Sequence, residues 1–166
     1  MQQDLTNIFP IDDIEAIRAT LLAHKQTLAL AESVTSGLLQ AAFSQATDAR
    51  QFFQGGITTY NIGQKCRQLR VEPVHALEFN AVSSQVAKEM AMHCSELFCS
   101  HYAVGITGYA APVPEKGIDT PFAYFAIYGN DALLTSDKLD GWKGPALEIQ
   151  LHYVRQVIKT FRKILT

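Results

Sequence analysis

The sequence predicts an α/β fold, a three-layer α/β/α sandwich around a mixed, mostly parallel sheet. Three observations predict it. Short apolar runs at 27–31, 57–60 and 102–107 alternate with segments whose apolar residues recur at helical spacing. Late in the chain, 122–128 and 133–139 flank Gly129-Asn130-Asp131, which reads as an antiparallel hairpin. The 166 residues contain no internal repeat, low-complexity stretch or linker, so one domain over 1–166 is expected.

The elements follow in order. Asp12 and Asp13 open a helix whose apolar positions are Ile14, Ile17, Leu21 and Leu22. Residues 27–31 form a buried strand that runs into the small-residue turn Glu32-Ser33-Val34-Thr35-Ser36-Gly37, and a helix starts at Leu38. Thr47-Asp48 starts a short helix ending near Phe53, and Gly55-Gly56 introduces the strand 57–60. A further short helix holds 64–69, and Pro73 breaks the chain. Ser83 caps a long helix with Val86, Met90, Cys94 and Leu97 on one face. The strand 102–107 leads into a proline-rich loop over 108–119. After the hairpin, a final amphipathic helix carries Leu147, Leu151, Val154, Ile158, Phe161 and Leu165.

Composition narrows the function. Charged residues are 18% of the chain and apolar residues 48%, against about 25% charged in an average domain. That balance, with a largely apolar last helix, predicts a homodimer burying at least ~1,000 Å² in total. A net charge of −2 offers no general attraction to nucleic acid or to an acidic membrane. Cys66, Cys94 and Cys99 are odd in number and form no CxxC pair, as in a cytosolic protein with reduced structural thiols. No run is long and apolar enough to span a bilayer, and Met1-Gln2-Gln3-Asp4 has no leader character. His24, His75, His93, His101 and His152 lack metal-ligand spacing, so no metal and no cofactor are expected. Neither G-x-G-x-x-G, a Walker A loop nor G-x-S-x-G occurs. Arg155, Lys159, Arg162 and Lys163 read as the solvated face of the last helix.

What remains is chemistry at the turn after the first strand. A strand–turn–helix junction there presents a helix N-terminus, where anionic ligands are held well. Ser33 reads as a nucleophile or as a plain turn residue with Thr35 or Ser36 capping the helix. A serine nucleophile needs a base, and a lysine serves if burial lowers its pKa toward neutrality. Lys65 follows the strand 57–60 by a short turn, which brings it toward the same sheet edge, and Tyr60 can relay between the two. Glu32 either pairs with Lys65 or receives a backbone N–H at the turn. Thr107-Gly108, at another strand end, can offer a hydroxyl and an N–H to an oxyanion. Tyr109 either plugs the pocket or stacks on a ring.

Four ordered motifs carry a family resemblance. Residues 31–37, Ala-Glu-Ser-Val-Thr-Ser-Gly, look like A-E-S-C-T-G-G. Phe53, Gly55, Gly56, Tyr60 and Lys65 match F-x-G-G-x-x-x-Y-x-N-x-x-K, residues 81–91 resemble A-V-S-x-x-V-A-x-x-M-A, and residues 107–112 resemble T-G-I-A-G-P. The chain thereby resembles the CinA C-terminal domain family, which includes nicotinamide mononucleotide deamidases. The resemblance implies an α/β/α fold, often dimeric, that hydrolyses nicotinamide mononucleotide to nicotinic acid mononucleotide and ammonia without a metal. It implies Ser33 as nucleophile and Lys65 as base, with Tyr60 beside them. Glu32, Thr35, Gly37, Thr107 and Gly108 are assigned to binding a small nucleotide or amide substrate. The chain also departs from the pattern. Ser36 stands where the family has glycine, Ile62 where it has asparagine, and Ala111 where it has the glycine of G-P. The D-G-G stretch is absent, and Gly141-Trp142-Lys143-Gly144-Pro145 stands in place of G-D-R. An amidohydrolase is expected. The alternative is a catalytically weakened nucleotide-binding or dimeric module of the same fold.

Overall fold

One mixed sheet organises the chain, and a computed structural model describes it over residues 7–166. The Met1-Gln2-Gln3-Asp4 segment, read above as lacking a leader, lies outside the described residues. The strands are β1 (Leu28–Glu32), β2 (Phe53–Thr58), β3 (Tyr102–Gly108), β4 (Phe122–Gly129) and β5 (Ala132–Asp140), in the order β2-β1-β3-β4-β5. Both β2 and β3 pair parallel to β1. The pairings β3–β4 and β4–β5 are antiparallel, so β4 alone runs against the other strands.

The helices are α1 (Ile11–Ala23), α2 (Leu38–Ser44), α3 (Ile62–Leu69), α4 (Pro73–Glu78), α5 (Ser84–Phe98) and α6 (Ala146–Leu165). The α/β/α class expected from the sequence is therefore the one observed. In β1 the side chains alternate between two cores. Leu28 and Leu30 join Ile14, Ile17, Leu21, Leu39, Phe43, Tyr153 and Phe161 from α1, α2 and α6. Ala29 and Ala31 join Leu69, Val86, Met90 and Cys94 from α3 and α5. The second face is lined by small residues, and α5 comes close to it. A Cβ on Gly105 would stand 2.4 Å from the Ala87 carbonyl of α5, so only glycine fits there.

Several boundaries differ from the sequence reading. β2 begins at Phe53 and ends at Thr58, with the glycine pair inside it rather than before it. Gly55 has φ +118 at a register shift opposite Leu28 and Ala29, a bulge that periodicity does not reveal. The short helix from Thr47 is a single 3₁₀ turn, Ala49–Gln51. Pro73 does not break the chain but occupies the first position of α4, whose first N–H groups are accepted by the Glu72 carboxylate. Leu97 is 53% exposed, and the buried face of α5 is Val86, Ala87, Met90, Ala91 and Cys94. In α6 the buried positions are Ile149, Tyr153, Val154, Val157, Ile158 and Phe161, while Leu147 is 57% exposed. Most of the apolar stripe of α6 thus packs within the chain. The hairpin turn is as expected, with Asn130 and Asp131 both at positive φ. Among the described residues, no helix is long and apolar enough to cross a membrane.

β1 leads to β2 on one side and has β3 on the other, so the connections diverge at its carboxyl end. Clefts for ligands form at such switch points. Ser33 is the first residue beyond β1.

Candidate active site

The turn after β1 is held by its own carboxylate. Glu32 is fully buried. Its Oε1 accepts hydrogen bonds from Thr35 Oγ1 at 2.6 Å and from the Leu39 backbone N–H at 2.8 Å. Its Oε2 accepts from the Gln40 N–H at 3.0 Å and from Gln40 Nε2 at 2.9 Å. An internal anion therefore fills the helix N-terminus that the sequence offered to an anionic ligand. The polar groups of Glu32 and Thr35 are spent on each other and on α2, and neither residue lines the cavity described below. Gly37, at φ +96, is the residue on which α2 starts and does not line the cavity either. Neither Thr35 nor Ser36 caps α2 through its side chain. Ser36 adopts φ +49, a left-handed conformation that glycine takes more readily.

Ser33 and Lys65 meet. Lys65 Nζ lies 2.8 Å from Ser33 Oγ and 2.9 Å from the Thr59 carbonyl. Ser33 is 6% exposed and Lys65 2%. Lys65 reaches this position because α3 begins just past the end of β2. Asn61 caps α3 by accepting from the Gln64 N–H at 2.9 Å, so the asparagine one place earlier than the family pattern still starts the helix. Burial pushes the Lys65 amine down to about 8, and the neighbouring Cys66 works weakly against this. The Thr59 hydroxyl next to it is buried without a partner among the described residues.

Both side chains open into a cavity of about 700 Å³. Tyr60 stands on its rim, 72% exposed. Lys65 contacts Ser33 directly, with no Tyr60 hydroxyl between them. Thr107 and Gly108 line the wall, but the Thr107 hydroxyl donates to the Ala81 carbonyl at 2.6 Å. Its proton is committed to holding the α4–α5 connection against β3 and is not free for an oxyanion. Tyr109 fills part of the wall. Its hydroxyl accepts from Asn80 Nδ2 at 3.2 Å and its ring meets Phe122 edge-on at 5.4 Å, while Phe122 itself stays outside the cavity. Gln150 of α6 also lines the cavity and donates through Nε2 to the Val34 carbonyl at 2.7 Å. Neither Asn80 nor Gln150 carries a sequence signal. Their roles arise from contacts across 29 and 116 residues. Among the described lining residues Lys65 is the sole charged side chain, and Lys143 is not one of them. No cluster of three or more His, Cys, Asp or Glu among the described residues is arranged to hold a metal ion.

The family model for the CinA C-terminal domain matches residues 12–165. The chain belongs to the CinA C-terminal domain family. It is 33% identical over 147 residues to a CinA-like protein of Prochlorococcus marinus, a match covering 87% of this chain and 34% of that protein. A CinA-like protein of Leptospira borgpetersenii is 32% identical over 155 residues, covering 92% of this chain and 34% of that protein. The chain thus spans about a third of the length of these relatives. A Mycoplasma pneumoniae protein described as an MG115 homolog is 31% identical over 152 residues and is covered over 95% of its length. Among crystal structures, a CinA superfamily protein from Escherichia coli superposes with TM-score 0.84 at 26% identity, over 100% of this chain and 94% of that chain. One from Enterobacter cloacae superposes with TM-score 0.89 at 23% identity, a likeness of fold.

Proposed function

We propose that this CinA domain hydrolyses a carboxamide, with Ser33 as nucleophile and Lys65 as general base. The observation that carries the reading is the buried contact of 2.8 Å between Lys65 Nζ and Ser33 Oγ in the wall of a cavity. An exposed lysine is almost wholly protonated at neutral pH and takes no proton. With its pKa at about 8, about one Lys65 in ten is neutral at pH 7 and can accept the Ser33 proton. Ser33 Oγ then attacks the carbonyl carbon while its proton passes to Nζ. The C–N bond breaks as that proton moves to the departing nitrogen, releasing ammonia and leaving an ester on Ser33. Neutral Lys65 next takes a proton from water, which attacks the ester, and hands it to Ser33 Oγ as the acyl C–O bond breaks and the acid is freed.

The resemblance points to nicotinamide nucleotides as the substrate class. The cavity supports the carboxamide part of that reading better than the phosphate part. Apart from Lys65, which the mechanism occupies, no described lining residue is charged. A charge-assisted contact contributes about 1.5–3 kcal/mol, so its lack weakens phosphate binding by roughly tenfold to a hundredfold. We expect ammonia release from small aryl amides and from nicotinamide riboside, with nicotinamide mononucleotide no better than the riboside. Ammonia assayed over that panel, with Ser33→Ala as control, checks both points. Release that persists in Ser33→Ala would remove the nucleophile assignment. A phosphate-bearing substrate preferred by tenfold or more would show a phosphate contact that the cavity lining does not reveal.

A further inference from the structure

Gln150 projects from the first turns of α6 into the cavity, one turn beyond Ala146, which also lines it. The Val34 carbonyl only accepts hydrogen bonds, so the end of the Gln150 amide 2.7 Å from it is the NH₂ end. That contact fixes the orientation of the amide and leaves Oε1 as its other end. No described residue donates to Oε1, and it is not among the buried unpaired atoms, so it keeps accessible surface on a residue that lines the cavity. The other polar side chains of the wall are engaged as well, Asn61 and Asn80 each at one end of the amide. Asn80 Oδ1 is therefore a second acceptor without a described donor, on the α4–α5 connection rather than beside Ser33. Asn61 Oδ1 accepts from Gln64, Asn80 Nδ2 donates to Tyr109, and the Thr107 proton goes to Ala81. Gln150 thus offers an oriented acceptor, anchored to the residue that follows Ser33.

We propose that Gln150 Oε1 accepts a hydrogen bond from the NH₂ group of a primary carboxamide, making Gln150 a specificity-determining residue for amides over esters and acids. The inference rests on the amidohydrolase reading and deepens it. An N–H donor on the ligand completes the acceptor, whereas an ester leaves Oε1 facing an oxygen. A site built to hydrogen-bond a substrate N–H rejects the analogue lacking it more strongly than a small difference in shape would.

Binding without turnover separates this proposal from the hydrolysis reading. The Ser33→Ala protein is titrated by NMR with nicotinamide and, separately, with methyl nicotinate. Nicotinamide is expected to bind about tenfold more tightly. In the Ser33→Ala/Gln150→Met protein the two are expected to bind within about twofold of each other. Gln150 also holds the Val34 carbonyl, but loosening that turn weakens both ligands alike and leaves their ratio unchanged. The ratio therefore reads recognition alone. Asn80→Gly in the same background suits the left-handed backbone there, φ +52, and is expected to keep the tenfold preference. Equal binding of the two ligands by Ser33→Ala, binding of neither, a preference that survives Gln150→Met, or one lost with Asn80→Gly instead, would each overturn the proposal. Ammonia release by the unsubstituted chain is scored apart, and its failure would strike the hydrolysis reading rather than the ligand preference.

Discussion

Lys65→Met is expected to lower the rate of amide hydrolysis by about 10³-fold or more, while the protein stays folded. General-base catalysis contributes roughly 10²–10⁴-fold, and methionine fills a similar volume without a basic nitrogen. The same substitution has a signature in stability that does not depend on activity. Burial holds the folded Lys65 at about 8, against 10.5 for the unfolded chain. Between those values the unfolded state carries a proton that the folded state lacks, so stability rises with pH. Below about 8 both states are protonated, and the folded state bears the full cost of a buried ammonium, on the order of 3 kcal/mol. Lys65→Met removes that cost and also removes the donor to the Thr59 carbonyl and Ser33 Oγ. Urea unfolding of both proteins is therefore expected to show their stability difference shifting in favour of the wild type as pH rises from about 8 to 10.5. A difference that stays flat across that window would mean that Lys65 titrates as an exposed lysine does.

Glu32→Ala is expected to produce the largest loss of stability of any single substitution near the site. It leaves the Leu39 N–H and the buried Thr35 hydroxyl without their acceptor, together with the Gln40 N–H. A buried donor left unpaired costs about 1–3 kcal/mol, so a total loss of about 3–5 kcal/mol follows. That is a large fraction of the ~5–15 kcal/mol by which domains are stable, and lowers Tm by roughly 10 °C. Glu32→Gln keeps one acceptor oxygen but turns an NH₂ toward one of the donors, and is expected to cost about half as much. Activity falls with both variants, because Ser33 is the next residue. A thermal shift of under ~2 °C for Glu32→Ala would mean that water replaces the carboxylate without loss.

The sequence carries the alternation of strands and helices, the junction after β1 and the meeting of Ser33 with Lys65, because each depends on local pattern or on short connections. It carries less about who satisfies whom. For Glu32 the sequence leaves open a pairing with Lys65 and a backbone N–H at the turn, and the structure gives the second, with the first N–H groups of α2 turned toward it. Thr107 resembles an oxyanion donor until the Ala81 carbonyl is found against it. The extent of β2 is hidden because a bulge at Gly55 breaks the alternation that marks a strand. α4 is hidden because Pro73 ends one segment and starts the next. Gln150 lies 116 residues from its partner, and a single amide on an amphipathic helix has no pattern to betray it.

The most direct test of the dyad is the pH dependence of acylation at Ser33. The protein is mixed with p-nitrophenyl acetate, the rate of nitrophenol release is followed from pH 6 to 10, and the adduct is located by peptide mass spectrometry. Acetyl is expected on Ser33, none in Ser33→Ala, and a rate rising to a plateau with an apparent pKa of about 8. In Lys65→Met the plateau is expected to be lost, with only a slow rise from hydroxide. An adduct confined to other residues, or a Ser33 rate indifferent to Lys65 across this range, would rule out the Ser33–Lys65 dyad.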